Sequence, residues 1–129
     1  MTTLSKEKLS LIHKKNVAIL KRNNIHLLKD WLLFYPCGEL IPYIIIHNNC
    51  YEFIIEERNN IIFDEKCYSE SELFYLVYYY DFTPSSSIYD ERVYNEMYKM
   101  FSLLDFEWAN KYYFSLNDEN KKYISFLNK

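Results

Sequence analysis

The residues best suited to chemistry in this sequence are its carboxylates, which occur in short clusters. The clusters are Glu56-Glu57, Asp64-Glu65, Glu70 with Glu72, and Asp90-Glu91. Paired carboxylates can move protons or hold a divalent cation, provided that several of them converge in space. They can equally form a solvated rim or an acidic contact surface for a basic partner. Spacing alone leaves a hydrolase, a soluble face and a protein-binding surface open.

Other catalytic devices lack the residues that they need. Gly38 is the only glycine, which excludes a glycine-rich phosphate loop and a dinucleotide fingerprint. His13, His26 and His47 are scattered and have no Ser or Cys partner in a recognisable motif. We therefore predict no catalytic residue and no cofactor, and interpret the chain as a binding protein rather than an enzyme.

The cysteines indicate neither a disulfide framework nor a metal site. Cys37, Cys50 and Cys67 are odd in number, form no C-x-x-C pair and have no nearby His at ligand spacing. This usage is typical of free thiols in a reducing compartment. We predict three buried free thiols, no zinc and a cytoplasmic location.

Length and composition favour one globular domain over residues 1–129. The chain is half apolar and about a quarter charged, with 14 Tyr and 9 Phe. The sequence contains no secretory signal pattern, and its longest apolar run, Leu73 to Tyr80, is too short to span a bilayer. We expect no membrane association.

Charge is distributed unevenly along the chain. Residues 1–30 carry seven Lys or Arg against two acids, a balance of +5, whereas the remainder carries eight bases against sixteen acids, a balance of −8. Such asymmetry can steer a charged partner, although a solvated helix face gives the same pattern. A single basic helix lacks the aromatic-interleaved basic face of a single-strand binder, so we expect no direct nucleic-acid binding.

The first third of the sequence predicts two helices. Apolar residues at helical spacing mark an amphipathic helix over residues 5–21. Ile25, Leu28, Leu32 and Tyr35 recur at similar spacing and predict a second helix, separated from the first by Asn23-Asn24.

The middle of the sequence predicts a three-stranded antiparallel meander. β-Branched and aromatic runs cover residues 43–47, 51–56 and 61–63. Asn48-Asn49 and Asn59-Asn60 separate the runs, and Asn tolerates the left-handed backbone of tight turns. We expect Tyr51, Phe53 and Ile55 to face the core.

Three further helices are predicted after the meander. Ser69 and Glu72 form a capping box before a helix that ends near Asp81. Residues 84–87 predict a loop, followed by an amphipathic helix from Tyr89 to Leu104. Asp105 can cap a last helix interrupted near residues 117–118. The predicted fold is α+β, with N-terminal helices, the meander, and C-terminal helices packed on one sheet face.

From Pro42 onward, the order of motifs resembles a family of small immunity proteins from bacterial polymorphic toxin systems, immunity protein family sixty-three. The match covers about two-thirds of the chain. Asn59 stands where the family pattern has glycine, and the paired arginines of the pattern before Phe101 are absent. The matching residues are Tyr51, Phe53, Glu57-Arg58, Ser69, Leu73-Phe74-Tyr75, Phe101, Leu103-Leu104 and Trp108.

The resemblance implies stoichiometric neutralisation of a cognate protein toxin, by a monomer or a homodimer. Another interaction module, such as a phage-defence, anti-defence or regulatory adaptor, is the alternative function, followed by a carboxylate-dependent hydrolase. The candidate partner-binding residues are Glu56, Glu57, Arg58, Asp64, Glu65, Tyr78, Asp81, Asp90, Glu91 and Arg92.

Overall fold

The computed structural model describes residues 2–37, 40–83 and 91–124 and has the predicted α+β architecture. Three strands form an antiparallel sheet, and two very short strands form a separate ribbon. In chain order the elements are α1 (Lys6–Arg22), β1 (His26–Leu27), β2 (Tyr43–Ile46), β3 (Tyr51–Glu57), β4 (Asn60–Cys67), α2 (Glu70–Asp81), β5 (Phe82–Thr83), α3 (Arg92–Leu104), α4 (Phe106–Ser115) and α5 (Asp118–Lys121).

The chain divides into two compact units. The first unit comprises Met1–Lys15 and Lys29–Asp81, and it contains the three-stranded sheet and α2. The second comprises Asn16–Leu28 and Phe82–Lys129, and it contains the β1–β5 ribbon and the later helices. The single domain predicted over residues 1–129 stays a prediction.

The sheet of the first unit is the predicted meander, in the order β2-β3-β4. Tyr51, Phe53 and Ile55 are all buried, as their alternation along β3 predicts. Ile54 on the opposite face is also buried, because Leu33 and Tyr43 pack against it. The central strand is therefore covered on both faces at this point.

The first helix forms as predicted, and a backbone motif ends it at the asparagine pair. Asn24 has a φ of 59°, the left-handed conformation that Asn tolerates. The N–H of Asn24 donates to Lys21 O at 3.1 Å, and the N–H of Ile25 donates to Leu20 O at 2.9 Å. These two bonds form a Schellman motif, which satisfies the last carbonyls of α1.

The second predicted N-terminal helix is wrong. His26–Leu27 pairs with Phe82–Thr83 as a short antiparallel ribbon, and residues 28–37 contain no helix. Leu28 and Tyr35, two members of the predicted apolar stripe, are 69% and 66% exposed, whereas Leu33 from outside the stripe is buried. Local periodicity is overridden here because burial of Leu33 against the sheet requires an irregular chain path.

The predicted capping box starts α2. The N–H of Glu72 donates to Ser69 Oγ at 3.1 Å, and the Glu72 carboxylate accepts from the N–H of Tyr68 at 2.9 Å. The helix ends at Asp81, as predicted, and it packs on β3 and β4 through aromatic contacts. Leu73 and Phe74 are fully buried and hold α2 in the core of this unit.

The second unit contains the amphipathic helix α3 followed closely by α4. Asp105 ends α3 and caps α4, because its carboxylate accepts from the N–H of Glu107 at 2.9 Å. Phe101 and Tyr112 pack with their ring centroids 5.5 Å apart. Asn117 then caps the separate helix α5, at the predicted interruption. The predicted loop at residues 84–87 and the predicted helix residue Tyr89 lie outside the described residues.

Two of the three cysteine predictions are confirmed. Cys50 and Cys67 are buried free thiols, whereas Cys37 is a free thiol on the surface. Cys37 follows Pro36 in the irregular segment before β2, where the chain is exposed.

Candidate protein-binding surface

The tight turn between β3 and β4 has an unusual backbone for its residues. Glu57 pairs with Asn60, so Arg58 and Asn59 form a two-residue loop, with φ values of 51° and 68°. Positive φ at both positions defines a type I′ hairpin turn, in which Asn and Gly are favoured. Asn59 suits this turn, but Arg58 occupies a left-handed position that costs a side chain with a Cβ about 1–2 kcal/mol. The turn therefore holds a guanidinium at its tip despite an unfavourable backbone.

The strand that follows this turn, β4, lies at the edge of the described three-stranded sheet. Within the described residues, β4 pairs only with β3. Ile61 and Ile62 are 57% and 56% exposed. An exposed edge presents unpaired backbone N–H and C=O groups that can pair with another chain. The combination of apolar side chains with an edge position makes this strand a candidate contact surface.

One face of the strand joins an aromatic cluster. The ring centroid of Phe63 lies 6.1 Å from that of Phe53 and 5.3 Å from that of Tyr80. Tyr80 is 39% exposed, and Tyr79 packs edge-on against it at 5.1 Å. Burial raises the pKa of Tyr80, and the charges of Tyr79 and Glu65 raise it further. An exposed tyrosine and a carboxylate therefore lie near each other on this face.

The other face of the sheet carries a hydrogen-bonded acid pair. His47 Nε2 lies 2.5 Å from Glu52 Oε1, and this contact lowers the pKa of Glu52. Desolvation and a hydrogen bond with Glu52 raise the pKa of Asp64. Within this pair the pKa of Asp64 therefore lies above its ordinary value and the pKa of Glu52 below its ordinary value. Asp64 is thus engaged in a contact within the sheet.

Glu56, a further carboxylate of the sheet, is hydrogen-bonded to a tyrosine. Tyr43 Oη donates to Glu56 Oε1 at 2.5 Å. Burial and the hydrogen bond with Glu56 raise the pKa of Tyr43 to about 12. Glu56 therefore stabilises the sheet through Tyr43.

The predicted acidic clusters do not all come together. Glu70 accepts from Tyr51 Oη at 2.7 Å, and Glu72 caps the start of α2. Glu91 precedes α3 in the second unit, and Asp90 lies outside the described residues. In residues 2–37, 40–83 and 91–124, no group of three His, Cys, Asp or Glu side chains could hold a metal ion.

Two candidate contact residues lie in the interior of the first unit. Tyr78 is fully buried and its hydroxyl lies 3.2 Å from His13 Nδ1. Asp81 is 1% exposed and pairs with Lys29 Nζ at 2.7 Å. Neither side chain can reach a partner at the surface, so both candidate assignments are wrong.

The buried pairs also shift the protonation of their members. Burial, and secondarily the charge of Lys29, lowers the pKa of His13 to about 4, and Asp30 partly opposes this shift. Burial raises the pKa of Asp81, and the hydrogen bond from Lys29 opposes it. Among the described side chains, His13 Nε2 and Asp81 Oδ2 are buried without a hydrogen-bond partner. The interior of the first unit therefore contains polar atoms of side chains whose charge depends on pH.

The structure groups half of the candidate residues on one hairpin. Glu56, Glu57, Arg58, Asp64 and Glu65 all lie on β3, β4 or their turn. Glu91 and Arg92 lie at the start of α3 in the second unit. We define the hairpin surface by its exposed members and the adjoining aromatic residues. Its residues are Glu57, Arg58, Ile61, Ile62, Phe63, Glu65 and Tyr80.

Sequence reasoning missed the apolar and aromatic part of this surface. Glu56 pairs with Ile61 and Ile55 with Phe63, so Ile62 is the extra residue of a β-bulge that the sequence pattern does not reveal. Tyr80 ends the apolar run that begins at Leu73, yet its side chain is 39% exposed and belongs to the hairpin surface. The pairing of His13 with Tyr78 had no local signal, because the two residues are far apart in the sequence.

Comparison with known proteins provides no assignment. A scan against protein-family models found no match, and searches of curated proteins and of solved structures found none either. Across the three described ranges, no helix combines the length and apolar character needed to cross a membrane.

Proposed function

We propose that this chain is an immunity protein, which binds a cognate protein toxin stoichiometrically in the cytoplasm of the producing cell. The observation that carries the proposal is the hairpin surface, where Ile61 and Ile62 lie exposed on an open strand edge beside Glu57 and Glu65. The motif order that resembles the immunity family adds independent support.

The composition of the hairpin surface suits an inhibitor that must act quickly and dissociate slowly. Surface carboxylates such as Glu57 and Glu65 accelerate the encounter with a basic partner. Apolar and aromatic residues at the centre of an interface slow dissociation. Burial of an Ile side chain that was fully exposed contributes about 1.5–3 kcal/mol, so the half-exposed Ile61 and Ile62 can each contribute roughly half of that.

Co-expression with the toxin domain encoded beside this chain tests the proposal. We expect growth to be rescued and an equimolar complex to elute from size-exclusion chromatography. The variant Glu57→Lys with Glu65→Lys reverses two charges of the hairpin surface. It should neither rescue growth nor form the complex.

A matched control makes the same charge change away from the hairpin. Glu7 and Glu119 are exposed acids on α1 and α5, and the variant Glu7→Lys with Glu119→Lys should still rescue growth. A toxin that neither forms a complex with the unaltered chain nor loses its effect on growth would refute the proposal.

A further inference from the structure

The two edges of the meander differ in whether the chain itself covers them. At the β2 edge, the N–H of Ile44 donates to Leu33 O at 2.9 Å, so the irregular segment before the sheet occupies that edge. At the β4 edge, β3 is the only strand paired within the described residues. β4 is eight residues long, contains no proline and is exposed from residue 60 to 62. β4 contains no proline, and no other strand of the described residues pairs with it, although the β-bulge at Ile62 and the charges of Asp64, Glu65 and Lys66 protect part of this edge.

We infer that β4 accepts an extended, lysine- or arginine-bearing segment of a partner protein, which adds to the meander as a fourth strand. The inference rests on the proposed function, because it specifies which part of the toxin meets the hairpin surface. In strand addition, main-chain hydrogen bonds supply affinity and alternate side chains supply specificity.

The face that carries Glu65 selects a basic residue. Phe63 and Glu65 lie on the same face of β4, since they are two residues apart in the strand. Tyr80 lies beside Phe63 with 5.3 Å between the ring centroids. A cation on the added strand opposite Glu65 meets a carboxylate and the exposed aromatic group of Tyr80 together, which combines an ion pair with a cation–π contact.

The opposite face selects an apolar residue. Ile61 pairs with Glu56 and therefore lies on that face, where it is 57% exposed. Asp64 on the same face is hydrogen-bonded to Glu52, and Lys66, the cross-strand partner of Glu52, adds a positive charge there, so this face attracts a cation less strongly than the Glu65 face. The preferred segment therefore alternates basic and apolar residues.

A synthetic peptide with alternating Lys and Val residues is the probe for this inference. It is titrated into the full isotope-labelled chain, and amide shifts and hydrogen exchange are followed by NMR. We expect shifts and slower exchange in residues 60–66, and no such change with a peptide that has Glu in place of every Lys. Shifts confined to other elements, or equal shifts with both peptides, would overturn the inference.

Charge variants identify the face that is used. Glu65→Gln should weaken binding of the Lys-Val peptide about fivefold, as expected for one cross-strand ion pair. Asp64→Asn should weaken it less, because that carboxyl is already hydrogen-bonded to Glu52 and lies on the face that carries Lys66. Glu7→Gln, on α1, removes the same charge elsewhere and should leave the affinity unchanged. Equal losses in the Glu65 and Glu7 variants would mean that only net charge matters and would contradict the inference.

Self-association is the competing occupant of this edge. If residues 60–66 are already protected in the free chain and the protection is lost on dilution, a second copy pairs with β4 and the inference fails.

Failure of the inference and failure of the proposed function give different results. A toxin that binds the Glu65→Gln and Tyr80→Leu variants as tightly as the unaltered chain removes the strand-addition mode but retains the immunity function. A chain that binds the Lys-Val peptide at β4 but no toxin retains the strand site and removes the immunity function.

Discussion

At the scale of single residues, the backbone of Arg58 departs from what stability alone would select. A type I′ turn favours Asn or Gly at both central positions, and Asn59 follows this rule whereas Arg58 does not. Strained backbone positions in native proteins are often associated with binding or catalysis. We interpret Arg58 as a side chain that is retained for contact with the toxin.

Replacement of Arg58 should increase the stability of the chain and weaken its binding to the proposed toxin. We expect Arg58→Asn to raise the free energy of unfolding by about 0.5–1 kcal/mol, because Asn tolerates the left-handed region better. The same variant should bind the toxin more weakly. Urea denaturation and toxin titration measure the two effects, and an Arg58→Asn protein that is less stable than the unaltered chain would refute this interpretation.

His13 should make stability depend on pH. Its pKa falls from 6.5 to about 4 on folding, so the unfolded chain binds more protons between these two values. Stability is therefore full above pH 6.5 and decreases as the pH falls towards 4, by up to about 3 kcal/mol. The raised pKa of Asp81 acts in the opposite direction above its unfolded value and reduces the net slope.

The His13→Asn variant separates these contributions. Its stability should be lower at pH 7 but should vary less between pH 6.5 and 4.5 than that of the unaltered chain. Urea denaturation at several pH values measures the slope, and an unchanged slope in the variant would assign the pH dependence to other groups.

At the scale of elements, patterns with strong local signals were predictable and long-range pairings were not. The capping box at Ser69, the β-branched runs of the meander and the cap at Asp105 each act within a few residues, so the sequence displays them directly. The irregular segment 28–37 depends on contacts of Leu33 with distant strands, which a helical period cannot reveal. The same limit applies to the candidate site, since the hairpin charges were predicted, whereas the burial of Tyr78 and Asp81 was not.

An ion pair connects the irregular segment of residues 28–37 to the C-terminal end of α2. Lys29 Nζ lies 2.7 Å from Asp81 Oδ1, with side chains 9% and 1% exposed. Lys29→Met leaves the carboxylate buried without its partner, which should destabilise the chain by about 3 kcal/mol at pH 7.

A double-mutant cycle tests the coupling. Lys29→Met with Asp81→Asn should recover part of the loss, since the buried group is then neutral. Stabilities from urea denaturation at pH 7 give the coupling energy. Additive losses in the double variant would show that the two residues stabilise the chain independently.

At the scale of the whole molecule, we propose that the chain acts by occupying a surface of its partner. The hairpin surface combines exposed apolar side chains, acids and an open edge, and it lies on an open sheet rather than in an enclosed pocket. The carboxylates on the sheet face that carries Ile54 engage His47, Tyr43 and one another. A role in binding would use the exposed apolar side chains, the acids and the strand edge together. Such a role requires no covalent bond to be broken.

The most direct measurement is a titration of purified toxin activity with purified chain at toxin concentrations far above the dissociation constant. An inhibitor that works by occupancy predicts a linear decrease in toxin activity that reaches zero at one chain per toxin, independent of incubation time. Complete inactivation at a small fraction of one equivalent that progresses with time would reveal turnover, and undiminished toxin activity at excess chain would contradict toxin binding.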